Sequence, residues 1–377
     1  MTGSTLSVDA SVAFNWNGGS SLSGSGTLNF MNPSSWLTLN VDMVMPSTFS
    51  MIIASNVTGT GNLTCNGPLT LDSYYAEING PGTLAINENS IWNAGRVNRV
   101  TTLAVSKTLT MATGTDKWLG ADLTNNGTID WQDGSIAFTV PGLTWTNTGT
   151  FTISGNNIMG GAGSCTFLNN GTVRKTSTGL TTVYSTLSFT NNGTIQGLGT
   201  YDLANAITGS GNIAPGLSPG IVILNGAQPL SVNGTLLIEM LDGSGAGTGH
   251  DQLQRNGNLT LAGNITVTDN PGVPYGTYTI IDLTSGDISG TFDSETLPPG
   301  YTLDIDLTND EVKVTKAPLV SLSTHYFRSI VTGNWNDPGT WESSPVSDFS
   351  SGIVLSLIHI SEPTRRTPIS YAVFCLK

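Results

Sequence analysis

One period limits what this chain can fold into. Leu123-Thr-Asn-Asn-Gly-Thr-Ile129, Trp145-Thr-Asn-Thr-Gly-Thr-Phe151, Phe167-Leu-Asn-Asn-Gly-Thr-Val173 and Phe189-Thr-Asn-Asn-Gly-Thr-Ile195 are four copies of one pattern. Their glycines, Gly127, Gly149, Gly171 and Gly193, are each 22 residues apart. A fixed period of this size is the signature of a repeat architecture.

Read as columns, the copies say what is repeated. Ala121, Leu143, Cys165 and Leu187 form one apolar column, and Leu123, Trp145, Phe167 and Phe189 another. Between them stand Asp122, Thr144, Thr166 and Ser188. That alternation has the period of two of a half-buried strand. Asn125, Asn147, Asn169 and Asn191 share the next position; stacked at strand spacing they form an amide ladder. The glycine column is expected to need a left-handed backbone. Asn-Gly between apolar runs also signals antiparallel hairpins with type I′ turns. A meander would alternate strand direction, so equal spacing with the same asparagine in every copy favours parallel coils in register.

The composition suits a repetitive β surface. Charged residues make up 10% of the 377, there are 46 glycines, and the net charge of -13 with no basic patch argues against nucleic-acid binding. No apolar run is long enough to span a bilayer. Met1-Thr-Gly-Ser-Thr-Leu6 lacks the basic and apolar regions of a signal peptide, so Met1 is expected to be an internal start within something longer.

Before the regular copies two looser elements recur. Phe14-Asn-Trp-Asn-Gly-Gly19, Ile91-Trp-Asn-Ala-Gly95 and Ile129-Asp-Trp-Gln-Asp-Gly134 each place a glycine three after a tryptophan. Gly24-Ser-Gly-Thr-Leu28, Gly59-Thr-Gly-Asn-Leu63 and Gly80-Pro-Gly-Thr-Leu84 are the second kind. Both read as turn-and-strand units of less regular coils. Cys65 stands where asparagine stands later, and Cys165 lies in an inward column; both are expected in the core, too far apart for a disulfide.

After the copies come two Pro-Gly turns in Ala214-Pro-Gly-Leu-Ser-Pro-Gly220, then Leu236-Leu-Ile-Glu-Met240, Asp251-Gln-Leu253 and Gly290-Thr-Phe292. In this order, behind Asn-Asn-Gly-Thr coils, they resemble the β-helical passenger and adhesin-like segments of bacterial surface proteins, over about residues 14 to 315. The resemblance implies a secreted or outer-surface location and a scaffold role, and it identifies no ligand. Tyr326 to Ser344, with Gly333-Asn-Trp-Asn-Asp-Pro-Gly-Thr-Trp341, is similar to the opening of a β-module common in large secreted surface proteins. Leu355 to Arg365 and Ile369 to Leu376 look like the in-frame translation of a sequencing-library adapter, so residues 355–377 are set apart from fold reasoning.

The expected fold is all-β: a right-handed parallel β-helix of roughly ten coils, about 22 residues per coil, with a β-rich C-terminal cap or sandwich. Residues 1–225 are expected to hold the repeats, 226–316 the terminal coils or cap, and 317–354 a linker and the start of a further β-module. Low cysteine and histidine content gives no zinc spacing, and the nonapeptide calcium repeat is missing, so no metal or cofactor is expected. Asp116, Asp122, Asp130, Asp133 and Asp202 form no repeated acid column of the kind β-helical polysaccharide lyases and hydrolases use, and His250-Asp251 lacks a nucleophile elbow. The expected function is a non-catalytic, adhesin-like segment that contacts glycans or cell surfaces. Trp118 and Trp131 are the first candidates for sugar stacking. The alternatives are a β-helical polysaccharide lyase or hydrolase, and ice or mineral binding through a row of Thr128, Thr150, Thr172 and Thr194.

Overall fold

The computed structural model describes residues 4–8, 11–317, 326–331, 341–344, 347–350 and 353–354. The segment set apart at 355–377 and most of the proposed linker lie outside the described residues. By its internal contacts the chain divides into two units. The larger comprises Met1–Val273, Tyr278–Thr296 and Asp304–Lys313. No helix occurs among the described residues.

The larger unit is a parallel β-solenoid. A representative coil runs through strand Thr128–Trp131, strand Ile136–Phe138 and strand Thr144–Asn147 before starting again at Thr150. Each of the three belongs to a different sheet, and each pairs in parallel with its counterpart one coil earlier and one coil later. The first sheet counts fourteen strands; the third counts eight, with three more after a break. About 10 turns have a strand in all three sheets. Asn126-Gly127 is therefore a corner between sheets, not a hairpin, because the strands on either side of it pair with other coils and not with each other.

Register follows the 22-residue period where the copies are regular: Thr128, Thr150, Thr172 and Thr194 are direct partners in succession. Elsewhere the step varies, from 17 residues between Leu84 and Thr101 to 31 between Ile221 and Gln252. The corners absorb that variation while the strands keep their alternation. Residues 230–296 continue the same ladders in wider coils rather than building a separate sandwich.

Inward columns make the core. Leu123, Trp145, Phe167 and Phe189 stack on successive coils and are all buried. The rings of Trp145 and Phe167 lie 5.8 Å apart, and those of Phe167 and Phe189 5.1 Å apart, both edge to face. Such pairs contribute about 0.5–1.5 kcal/mol each beyond the area they bury. Cys65 and Cys165 are buried and free, as their columns require.

One expectation fails at the corners. Gly127, Gly149, Gly171 and Gly193 do not have positive φ. Their role is close approach: a Cβ on Gly149 would stand 2.0 Å from the Gly127 carbonyl oxygen, and one on Gly193 2.0 Å from that of Gly171. The corners stack backbone on backbone, leaving no room for a side chain. The looser elements divide the two roles. In Gly24-Ser-Gly26, Gly59-Thr-Gly61 and Gly80-Pro-Gly82 the first glycine has φ between 94° and 111°, while a Cβ on the second would strike a carbonyl of the coil before.

In the smaller unit, Tyr326–Ser329, Trp341–Ser344 and Ile353–Val354 form an antiparallel sheet. Arg328 pairs with Glu342 at 2.8 Å and lies over the Phe349 ring.

Candidate binding surfaces

The four asparagines form one continuous ladder. Asn125 Nδ2 donates to Asn147 Oδ1, Asn147 to Asn169 and Asn169 to Asn191, each at 2.7 Å. The same amides donate to the Thr150, Thr172 and Thr194 carbonyls, which ties the third sheet to the start of the first. All four are buried. In earlier coils the column is Met45, Cys65, Ile86 and Leu103, so the amides replace apolar residues where the corner tightens to Asn-Asn-Gly-Thr.

The threonine row stacks as the period requires and gains Thr108 at one end and Asn212 at the other. It is half-buried and one residue wide, since the next outward column reads Thr110, Asp130, Thr152, Arg174 and Gln196. A broader hydroxyl array lies on the third sheet. There Asp122, Thr144, Thr166 and Ser188 run beside Thr124, Thr146, Leu168 and Thr190. These outward residues were visible in the sequence as the column between two apolar ones, but not as a two-column face.

The two tryptophans separate. Trp131 is 0% exposed, donates its indole N–H to the Gly134 carbonyl at 2.7 Å and stacks on Phe151. It is a core residue and cannot meet a sugar, which corrects the sequence expectation. Its glycine three residues on has φ 75°, and Trp92 and Gly95 repeat the arrangement with φ 92°. In these two copies the Trp-x-x-Gly element is thus a corner lock, whereas the Trp16 indole donates to the Asp42 carbonyl at 3.2 Å. Trp118 points outward, half-buried, with Tyr74 edge-on at 4.6 Å and the Arg96 guanidinium 5.6 Å away.

Sequence reasoning missed the buried cations. Arg99 donates to the carbonyls of Gly59 and Gly61 in one Gly-x-Gly corner and of Asn79 just before the next, so it joins two successive corners. Arg255 does the same for Leu224, Gly226, Gln228 and Asn258. Lys117 donates to Thr113 and Asp133 carbonyls, and Lys175 to the Gly155 carbonyl and the Ser177 and Thr181 hydroxyls. Burial pushes both lysines down to about 8; nearby Asp133 and Asp116 oppose the shift at Lys117. In a chain with few charges, an isolated base beside glycine corners is the signal that could have found them.

Three of the five acids named from the sequence, and Asp251, are engaged in the same way. Asp122 accepts from the Thr144 N–H at 2.8 Å, Asp116 from Ser135 N–H and Asp130 from the Ser154 hydroxyl, each on the following coil. Asp251 is buried and accepts from the Gly220 N–H at 2.8 Å and the Glu239 N–H at 2.9 Å; burial raises its carboxyl to about 7. The Pro-Gly turn, the acidic strand and the Asp-Gln-Leu element thus meet at one carboxylate. His250 Nε2 lies 3.1 Å from the Thr279 carbonyl oxygen, and its ring packs on Tyr278, so His250 and Asp251 are anchored to different strands. Among the described residues no group of three or more His, Cys, Asp or Glu could hold a metal, and no helix is long and apolar enough to cross a membrane. In comparisons with known proteins, no family model and no curated sequence matches this chain.

Proposed function

We propose that this chain is a non-catalytic structural segment of a large secreted bacterial surface protein, displaying a stiff solenoid for contact with glycans or another cell surface. The observation that carries this reading is the use made of its polar side chains. The asparagine ladder, the four buried cations and Asp116, Asp122, Asp130 and Asp251 all join coil to coil. Groups held that way resist bending and shear and are not free for acid–base work. The outward Thr and Ser columns leave a repeating polar face, suited to many weak contacts in parallel. Incubation of the purified chain with a panel of neutral and acidic polysaccharides tests the reading. No release of reducing ends or unsaturated sugars is expected, together with retention on glycan or cell surfaces. Turnover would replace this reading with the lyase or hydrolase one.

A second reading, ordered-surface binding of the ice or mineral kind, draws on the two-column hydroxyl array of the third sheet. Thermal hysteresis abolished by Thr146→Lys would favour it.

A further inference from the structure

The second sheet carries an outward column unlike the others. Arg96, Trp118, Ala137 and Gly160 are direct partners on successive coils, and Tyr184 stands on the coil after Gly160. Tyr184 leans back over Gly160, since a Cβ there would lie 2.8 Å from both Cβ and Cδ2 of the tyrosine. Trp118 instead meets Tyr74 and Arg96 on its other side. The short Ala137 side chain is left between two aromatic groups whose backbones are three rungs, ~14 Å, apart. Tyr74, Tyr75 and Tyr184 are 59%, 65% and 49% exposed, whereas Trp16, Trp92, Trp131 and Trp145 are buried.

Grouped exposed aromatic rings on a chain this polar mark a contact surface. The sheet there is interior, each strand hydrogen-bonded on both sides, so no edge is open to a peptide strand. The flanking outward columns hold Asp116, Ser135, Thr139 and Thr182, half-buried hydroxyl and carboxylate groups at the level of the rings. A ligand that fits must present C–H to an aromatic face and hydroxyls around its edge, as a pyranose ring does. The net charge of -13, with Glu77 and Asp116 nearby, selects against a polyanion.

We propose that Trp118 and Tyr184, with Ala137 as floor and Tyr74 and Arg96 bracing the indole, form a subsite for a pyranose unit of a neutral polysaccharide. The proposal rests on the binding role given above and supplies its ligand class. It is tested by electrophoresis of the full chain through gels containing a neutral β-glucan, xylan or galactomannan, with polygalacturonate as the acidic comparison. At least one neutral polymer retards the wild-type chain. Trp118→Ala, Tyr184→Ala and Ala137→Gln, which fills the floor, each weaken that retardation about tenfold. Tyr275→Ala, at an exposed tyrosine outside the cluster, leaves it unchanged. Circular dichroism confirms that each variant is folded. Equal retardation of wild type and the three variants overturns the site, as does retardation by polygalacturonate alone or by no polymer. Retardation that the three variants keep removes this site and leaves the binding role standing, whereas polymer cleavage overturns the non-catalytic reading itself.

Discussion

Asn147 shows how much one side chain holds. It accepts from Asn125 and donates to Asn169 and to the Thr172 carbonyl, all away from water. Asn147→Ala leaves an unpaired donor on one neighbour and an unpaired acceptor on the other, at about 1–3 kcal/mol for each buried group so exposed. Asn191 ends the ladder and has one amide neighbour. Urea denaturation is expected to show a larger loss for Asn147→Ala than for Asn191→Ala; equal losses would mean that the ladder is not cooperative. The buried lysines give a pH signature. Each titrates near 8 in the fold against 10.5 ordinarily, so above pH 8 the unfolded chain holds more protons than the folded one and stability rises with pH. Burial holds the Cys65 thiol at about 12 and raises the Tyr201 phenol, which reverses the sign above their ordinary values of 9.0 and 10.0. Asp251, at about 7, acts in the falling sense only below that pH. The melting temperature is therefore expected to climb between pH 8 and 9 and then flatten, and the climb to vanish in the Lys117→Met/Lys175→Met double variant.

At the scale of the corner, the glycine column was legible in the sequence but its reason was not. A repeated glycine after asparagine suggests a left-handed turn, because that is what a single corner in isolation would need. The requirement actually comes from the coil beneath, which no local reading contains. Gly149→Ala would drive a methyl into the Gly127 carbonyl, and prying the coils apart is expected to cost about 1–3 kcal/mol. Gly18→Ala, at an open position without positive φ, is expected to change stability by less than about 1 kcal/mol, in the stabilising direction. Chemical denaturation of the two variants checks the contrast. The same limit explains the other misses. Ile129-Asp-Trp131 shows the alternation that buries Trp131, yet a tryptophan beside Asp and Gln also reads as a surface ring. Arg99 and Arg255 look like ordinary surface bases until the carbonyls of Gly59, Gly61 and Gly226, 29 or more residues away, are brought beside them.

Across the solenoid, each coil touches chiefly its neighbours, so the unit should behave as a one-dimensional stack whose members are interchangeable where their registers agree. The regular copies supply a direct test. Removing Thr150–Gly171, 22 residues, joins Gly149 to Thr172, and Thr172 then takes the place of Thr150 opposite Thr128. Asn147 meets Asn191 in place of Asn169, and Val173 covers Ile129 where Phe151 did. Every ladder closes after the splice, so the shortened chain is expected to fold, with unchanged mean-residue ellipticity and a slightly smaller urea m-value, because less surface is exposed on unfolding. Removing only residues 150–160 takes out half a coil. It sets a first-sheet corner against the start of the third sheet, and no register restores both the asparagine ladder and the inward columns. That variant is expected to lose cooperative unfolding. Should both deletions fold equally well, the 22-residue period would not be the unit of stability, and the stiffness argument for a surface role would lose its physical basis.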